Sequence, residues 1–298
     1  MAALSSVVVS LLVLCVCVKA AAPTSRWIEY IPGNITLILG APHGGTEQPT
    51  SIPVRDAGCY INGKCVYRHD CGTKDFSKCK VTTVQDSYTL ETTKAVADAM
   101  ARKYGVRPHV VLNLLHRNRL DANRGKPDAA FGDTEAEAAW NQWFDYIESS
   151  KGDGIALFID LHGVSSHPEK WVEIGYLIKG AQLDSGDYTY NDSSIRHLAS
   201  RVGIDFRELL HGRASLGYRF DRLGYNVVPS PTHPGPDGGK YYSGGDNTRA
   251  HGSKYGGIVD AIQIEMPKHL RDEAICVTFC PDLADIIYDF WARYYRQR

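Results

Sequence analysis

Short runs of aliphatic and β-branched residues alternate with amphipathic segments along most of this 298-residue chain. The runs fit buried strands, and the amphipathic segments carry apolar residues at the spacing of a helix. This alternation predicts an α/β fold with a largely parallel central sheet. The five predicted strands are Ile35–Leu39, Val106–Leu115, Ile155–Leu161, Trp171–Ile178 and Ile258–Met266.

Helix signals lie between and after these strands. The segment Asp86–Tyr104 has apolar residues at helical spacing and stops at Gly105. The pattern Thr134-x-x-Glu137 is typical of a capping box and predicts a helix to about Ser149. Further helices are predicted at Ser193–Arg201, at Asp205–Leu210 and from Pro281, which is taken as the first residue of the C-terminal helix.

The beginning of the chain has the pattern of a secretory signal over residues 1–20. Its apolar run, Val7–Val18, is too short to span a membrane and is followed by small residues at a cleavage-like position. We therefore predict a secreted protein, with residues 21–298 forming one domain that has no membrane contact after cleavage. The charges are interspersed and the formal net charge is −1, so nothing supports nucleic-acid binding.

Six cysteines follow the signal, and an even number in a secreted chain indicates disulfide bonds. We predict three local pairs: Cys59–Cys65, Cys71–Cys79 and Cys276–Cys280. The alternative is a zinc knuckle, but the paired two-residue spacing of such sites is missing. Two glycosylation sequons, at Asn34 and Asn191, fit an exported glycoprotein.

Histidines stand where two of the predicted strands end. His43 follows the first strand and precedes two glycines, and His162 ends the run Ala156–His162. Ligands of open α/β sheets bind at the carboxyl ends of the strands, so these positions favour a functional site. Two neutral imidazoles are suitable ligands for Zn²⁺, and Asp160 has the spacing to orient His162 as an outer carboxylate. The alternative is that each histidine caps a turn.

Catalytic zinc has three protein ligands, so a carboxylate is expected beside the two histidines. Asp86 begins a helix after the cysteine-containing insertion, and Glu47 follows His43 by four residues. Both acids are candidates for the third ligand. Asp86 is otherwise a helix cap, and Glu47 is otherwise a solvated acid in a loop.

Three arginines crowd the end of another predicted strand, in the segment His116–Arg124. Guanidinium groups so close together favour contact with anions, because each offers a planar fork that fits a carboxylate. Asp121 has the spacing to hold one of these arginines in place. The alternative is a solvated loop held by ion pairs.

Glu265 lies near the end of an otherwise apolar strand. Partial burial there raises the pKa of a carboxyl group, which suits a general base that acts on water. The alternative is an edge-strand glutamate paired with Lys268 or with an arginine.

These residues form six short motifs that occur in a fixed order along residues 36–268. The motifs are Pro42-His43-Gly44-Gly45, Asp86 at a helix start, Arg117-x-x-x-Asp121-x-Asn123-Arg124, Asp160-Leu161-His162-Gly163, Tyr242-Ser243-Gly244-Gly245 followed by His251-Gly252, and Ala261-Ile262-Gln263-Ile264-Glu265. Together they resemble the N-formylglutamate amidohydrolase family, which is related to the zinc carboxypeptidase and aspartoacylase group. The segment Asp121-x-Asn123-Arg124 is similar to the aspartoacylase motif that binds the substrate carboxylate.

The resemblance implies a phosphorylase/hydrolase-like fold, a three-layer α/β/α sandwich with a mixed, mainly parallel central sheet. It also implies a zinc-dependent hydrolase in which His43, Asp86 and His162 hold the Zn²⁺ ion. Thr46 departs from the carboxypeptidase group, which has a glutamate ligand at that position. Glu47 therefore stays open beside Asp86 as the third ligand.

The resemblance further implies the catalytic roles of two residues. Arg117 polarises the scissile carbonyl, and Glu265 moves the proton of the attacking water to the leaving amine. The residues implied to bind the substrate are Asn123 and Arg124, which clamp its carboxylate, together with Arg119 and Gly245.

The leading hypothesis is thus an extracellular zinc amidohydrolase. Its predicted partner is a small-molecule substrate, an N-acyl (formyl-like) amino acid or a similar carboxylate-bearing amide. Two other functions fit the same residues: a carboxypeptidase-like peptidase, and a secreted binding or scaffold protein that has the fold without turnover.

Overall fold

The computed structural model describes residues 25–164 and 170–296, so the predicted signal over residues 1–20 lies outside the described residues. The strands are β1 (Ile28–Ile31), β2 (Leu37–Ala41), β3 (Cys59–Ile61), β4 (Lys64–Val66), β5 (His109–Asn113), β6 (Ala156–Val164), β7 (Val172–Gly175), β8 (Val227–Val228) and β9 (Val259–Pro267). The α-helices are α1 (Thr89–Tyr104), α2 (Lys126–Ala130), α3 (Thr134–Ser150), α4 (Gly180–Ser185), α5 (Arg196–Arg201), α6 (Phe206–Leu210), α7 (Leu216–Arg222), α8 (Asp246–His251), α9 (Lys268–Arg271) and α10 (Glu273–Tyr294). None of these helices has the length and apolar character needed to cross a membrane.

Seven of the strands form one mixed sheet, in the order β1-β5-β2-β6-β9-β7-β8. The four consecutive strands β5, β2, β6 and β9 are parallel to one another. The strand β1 is antiparallel to β5, and β7 is antiparallel to β9. The predicted α/β fold with a mixed, mainly parallel sheet is confirmed.

Helices cover both faces of the sheet because alternate residues of each strand point to opposite sides. In β2, Leu37 and Leu39 pack in the core that includes α1 and α10. Between them, Ile38 packs in a second core, with Trp143 of α3. All four side chains have an exposed fraction of 0%. Two apolar layers thus flank the strands, which makes the three-layer arrangement.

Several predicted helix starts are wrong. The helix α1 begins at Thr89 and not at the predicted Asp86, and α5 begins at Arg196 and not at the predicted Ser193. The C-terminal helix α10 begins at Glu273, so Pro281 lies inside it and leaves one helix carbonyl without its N–H partner. The helix α3 is capped by Asp133, whose side chain accepts a hydrogen bond from the Ala136 N–H at 2.8 Å. The capping residue is therefore one position before the predicted Thr134.

The described residues contain three disulfides: Cys59–Cys71, Cys65–Cys79 and Cys276–Cys280. The predicted pair in α10 is confirmed, but the two pairs predicted for the first four cysteines are wrong. In the β3–β4 hairpin, Cys65 stands opposite Tyr60. Cys59 is the neighbour of Tyr60 and therefore points to the other face of the hairpin. Each hairpin cysteine bonds to one beyond the hairpin, which also leaves no thiolate for a zinc knuckle.

Candidate active site

Three polar side chains meet at the carboxyl end of the parallel strands. His43 follows β2, His162 lies near the end of the neighbouring strand β6, and Asp86 precedes α1. One ligand atom from each of them lies within 4.8 Å of the other two. All three are buried, with exposed fractions of 2%, 2% and 7%. The fold thus brings together three side chains that are far apart in the sequence.

The Asp86 carboxylate lies between the two imidazole rings. Its Oδ2 atom is 3.4 Å from Nδ1 of His43 and 3.2 Å from Nδ1 of His162. The same oxygen accepts a hydrogen bond from the Gly163 N–H at 3.0 Å. Burial raises the pKa of Asp86, but the hydrogen bonds and charges of the two histidines outweigh it and hold the pKa well below its ordinary value. The helix-cap alternative is excluded, because Tyr88 occupies the cap of α1.

A further carboxylate contacts each imidazole ring at Nε2, the nitrogen that does not face Asp86. Nε2 of His43 lies 2.6 Å from Oδ1 of Asp121, and Nε2 of His162 lies 2.8 Å from Oδ2 of Asp160. The contact predicted for Asp160 is confirmed. The contact of Asp121 with His43 is new, and Asp121 also accepts the predicted hydrogen bond from an arginine, from Nε of Arg117 at 2.8 Å. Together these carboxylates direct both Nδ1 atoms towards Asp86.

This donor set fits a divalent metal ion. Two imidazole nitrogens and one carboxylate make up the three-ligand set of a catalytic zinc site, and an outer carboxylate on the far nitrogen of each ring is the usual support. Both nitrogens of each ring face carboxylates, so the cluster concentrates negative charge around the rings. Burial lowers the pKa of His162, but Asp160 and Asp86 together raise it well above the ordinary value. A divalent cation would balance the same negative charge.

Glu265 stands beside the cluster on β9, where it is the register partner of His162 on β6. Its exposed fraction is 7%, and Nε2 of Gln263 donates to its Oε1 atom at 2.9 Å. Burial is the largest influence on Glu265 and raises its pKa to about 8, although the charge of His162 acts in the opposite direction. Because β9 lies inside the sheet, between β6 and β7, the alternative of an edge-strand glutamate paired with Lys268 or an arginine does not describe this buried residue. A carboxyl group with such a pKa suits proton transfer near neutral pH.

A cavity of about 460 Å³ opens onto the cluster, a volume that fits a small molecule. Its walls come from the ends of the inner strands and from three loops. The lining residues are His43, Thr82, Val84, Asp86, Arg117, Asn123, Arg124, His162, Gly163, Tyr241–Gly245, Gln263 and Glu265. Glu47 is exposed and lies outside this lining, so the acid that the structure brings to the histidines is Asp86.

Two of the three crowded arginines reach the cavity. Arg117 is 9% exposed, and its Nη1 atom lies 4.0 Å from Oδ1 of Asp86. Arg124 lines the cavity with a more accessible side chain, which is 35% exposed. Arg119 turns away and donates to the carbonyl of Ile52 at 2.6 Å. Its position does not fit the substrate-binding role expected from the sequence, because the guanidinium serves a loop outside the cavity.

The residues Tyr241–Gly245, called the strap below, close one side of the cavity. Oε2 of Glu173 accepts a hydrogen bond from the Tyr242 N–H at 2.6 Å. Oε1 of Gln263 accepts one from the Gly245 N–H at 2.8 Å. Burial raises the pKa of Glu173 to about 7. Two buried side chains of the sheet therefore hold the strap in place.

Asn123 lies directly under the strap and is 4% exposed. A Cβ atom at Gly245 would lie 2.4 Å from Nδ2 of Asn123, so only glycine allows this approach. Oδ1 of Asn123 accepts a hydrogen bond from the Asn247 N–H at 2.8 Å, and Nδ2 lies 3.2 Å from Nε2 of His162. Both Asn123 and Gly245 line the cavity, as their expected role requires.

Gln263 and Glu173 have roles at the site that were not predicted from the sequence. One signal for Gln263 was available, since it precedes Glu265 by two residues on a strand and therefore shares its face. No local signal marks Glu173. It stands opposite Glu265 only through the antiparallel register of β7 with β9.

No family model matches this sequence, and no curated protein matches it at a significant level. Among solved structures, the chain is similar to an N-formylglutamate amidohydrolase from Ralstonia eutropha JMP134, with 12% identity, coverage of 90% of this chain and 97% of that one, and a TM-score of 0.46. It is also similar to a gene product of Agrobacterium tumefaciens (12% identity, 90% and 92% coverage, TM-score 0.43). A bacteriophage poly-gamma-glutamate hydrolase is a further match (13% identity, 90% and 88% coverage, TM-score 0.35). At such low identities and TM-scores, these likenesses carry no functional assignment for this chain.

Proposed function

We propose that this chain is a zinc-dependent amide hydrolase in which His43, Asp86 and His162 hold the ion. The observation that carries the proposal is the buried cluster of these three side chains, at a cavity that Glu265 also lines. Zinc is proposed because two imidazoles and a carboxylate are a ligand set of known catalytic zinc sites. When bound, the ion supplies Lewis acidity, which lowers the pKa of water and polarises a carbonyl group.

Glu265 is the proposed general base. It accepts a proton from the attacking water and later returns that proton to the nitrogen of the breaking C–N bond, so the amine leaves in neutral form. Its position beside His162 and its raised pKa support this role. The hydrogen bond from Gln263 keeps one carboxyl oxygen in a fixed position.

Arg117 is the proposed donor to the carbonyl oxygen, on which negative charge develops during the attack. Asp121 binds Nε of Arg117 and so fixes the guanidinium at the cavity wall. A donor that is positioned in this way contributes on the order of 10²–10³ to the rate.

The proposed substrate is a small N-acyl amino acid or a similar carboxylate-bearing amide. Arg124, Asn123 and Gly245 are its proposed binding residues, because all three line the cavity and Arg124 offers a planar fork to a carboxylate. The three disulfides support a protein that works outside the cytosol. Secretion, and residues 21–298 as one catalytic domain, are part of the proposal.

The experiment that tests this proposal combines metal analysis with a substrate panel. The full chain is expressed for secretion, and its metal content is measured by mass spectrometry. N-formyl and N-acetyl amino acids are then compared with peptides that have a free C-terminus. We expect bound zinc and turnover of the N-acyl amino acids, lost on chelation and restored by zinc.

Matched variants locate the metal. Asp86→Asn should lose the zinc, whereas Glu47→Gln removes an exposed acid near His43 and should keep it. A preference for long peptides would favour the carboxypeptidase alternative, and zinc binding without any turnover would favour the binding-protein alternative. Full activity in the chelated protein would contradict the proposed function.

A further inference from the structure

We infer that Arg271 is a positioning residue for the metal centre, acting through the main chain that neighbours Asp86 and His162. The inference rests on the proposed function, since it concerns how the proposed ligands are held. It adds a residue that lies outside the cavity lining and outside the sequence motifs.

Arg271 is the last residue of α9 and has an exposed fraction of 3%. Its Nε atom donates to the carbonyl of Met266 at 3.0 Å, and its Nη1 atom donates to the carbonyl of Ser87. Ser87 directly follows Asp86. One buried side chain therefore connects the end of β9 to the main chain beside a proposed ligand.

The guanidinium group also lies flat against Gly163. A Cβ atom at Gly163 would lie 2.4 Å from Cζ and 2.6 Å from Nη2 of Arg271, so a side chain at this position excludes the guanidinium. Gly163 follows His162, and its N–H donates to Oδ2 of Asp86. Arg271 thus packs on the residue that links two of the proposed ligands.

Both hydrogen bonds of Arg271 among the described residues go to main-chain carbonyls. Burial of a guanidinium group costs free energy unless its N–H groups are hydrogen-bonded. The bonds to Met266 and Ser87 offset this cost and tie the two main-chain segments together. The planar shape of the guanidinium lets it bridge two carbonyls and pack against a strand at the same time, which a lysine ammonium cannot reproduce.

The first test measures zinc affinity by calorimetric titration. Arg271→Met keeps an apolar stem of similar length and deletes the fork, and we expect its affinity to fall about 10–100-fold, as for loss of an outer partner of a metal site. Lys268→Met is the control, because it removes the same charge from an exposed position on the same short helix. Arg271→Lys should also lose affinity, and full rescue by lysine would overturn the inference.

A double-mutant cycle tests the contact with Gly163. Gly163→Ala should weaken zinc binding in the wild-type background, because the added Cβ displaces the guanidinium. In an Arg271→Ala background the same substitution should change the zinc affinity by less than about threefold, since the guanidinium that it would displace is absent. An equal loss in both backgrounds would overturn the inference.

Hydrogen exchange in the metal-free protein gives a readout that does not depend on zinc. The Gly163 N–H should exchange about tenfold faster in Arg271→Met than in the wild type, while the Phe158 N–H in the middle of β6 should not change. If the wild type binds no zinc, the proposed function fails and the exchange comparison still decides the inference. If the wild type binds zinc and Arg271→Met alters neither affinity nor exchange, the inference fails alone. Should Arg271→Met not fold, the Gly163→Ala arm replaces it.

Discussion

Two buried acids stand on the same strand, β9, in different surroundings. Asp260, near its start, accepts hydrogen bonds from Ser253, from Tyr295 and from a main-chain N–H. Glu265, near its end, accepts one from Gln263 and faces the cavity. Burial raises the pKa of both, to about 6 for Asp260 and to about 8 for Glu265.

The comparison shows that a raised pKa by itself does not mark a catalytic group. Neutral donors surround Asp260 within the protein, and no substrate can approach it because its exposed fraction is 0%. Glu265 has a similar cause for its shift but stands beside His162 and at the wall of a cavity. Access for a substrate, combined with the metal-ligand cluster, identifies the candidate base.

The largest expected effect is on Glu265. Glu265→Gln should lower kcat about 10²–10⁴-fold, because the amide cannot accept the proton of water. Zinc content and thermal midpoint should stay near the wild-type values, since no proposed ligand is removed. Steady-state kinetics and metal analysis on the same preparation check both statements. A kcat within tenfold of the wild type would contradict the assignment of Glu265, rather than Asp260, as the general base.

Asp260 should instead contribute to the free energy of unfolding, by an amount that depends on pH. Its pKa is raised in the folded state, so the folded protein binds the proton more tightly and stability falls as the pH rises from about 4 to about 6. The difference between about 6 and the ordinary 3.8 corresponds to roughly 3 kcal/mol. Asp260→Asn should lose this part of the pH dependence, because an amide does not titrate.

Urea unfolding of both proteins between pH 4 and pH 7 measures that difference. Ser253 can accept a hydrogen bond from the new amide, since its own hydroxyl can donate to the Ser194 carbonyl at 3.1 Å. The substitution is therefore expected to keep the fold and the kcat. Parallel pH profiles of stability for Asp260→Asn and the wild type would contradict the raised pKa.

The smallest effects are expected from the neutral donors to the two acids. Gln263→Leu should lower kcat about tenfold, because Glu265 loses the hydrogen bond that orients it. Ser253→Ala should lower the free energy of unfolding by about 1 kcal/mol and leave kcat unchanged. Kinetics and unfolding on both variants check this. Similar losses of kcat in the two variants would contradict the account, because Asp260 would then influence catalysis as Glu265 does.

Much of the sheet could be predicted from the sequence, because the inner strands are apolar runs that end in polar motifs. The strands around Leu39, Ile159 and Ile262 were predicted within a few residues of their observed ends. The edge strands β1 and β8 were not, since four and two residues are too few for a periodic signal. The disulfide pairing depended on which face of a hairpin each cysteine occupies, and spacing does not contain that information.

The choice between Asp86 and Glu47 also needed the fold. Gly45 packs so closely on the segment that follows β5 that a Cβ atom would lie 2.2 Å from the carbonyl carbon of Leu114. Glu47 then pairs with Leu115 in an isolated parallel β-bridge, which carries the Glu47 side chain away from the histidines. Such a close approach between distant segments cannot be inferred from residue spacing. Neither Gly44 nor Gly45 has a positive φ, so close packing is what requires glycine at position 45.

Anomalous diffraction at the zinc edge tests the central claim most directly. Crystals of the secreted protein grown with zinc are expected to show one strong peak, about 2.0–2.2 Å from a ring nitrogen of His43, a ring nitrogen of His162 and an oxygen of Asp86. No anomalous peak at this cluster at saturating zinc, or peaks only at other positions, would contradict the account.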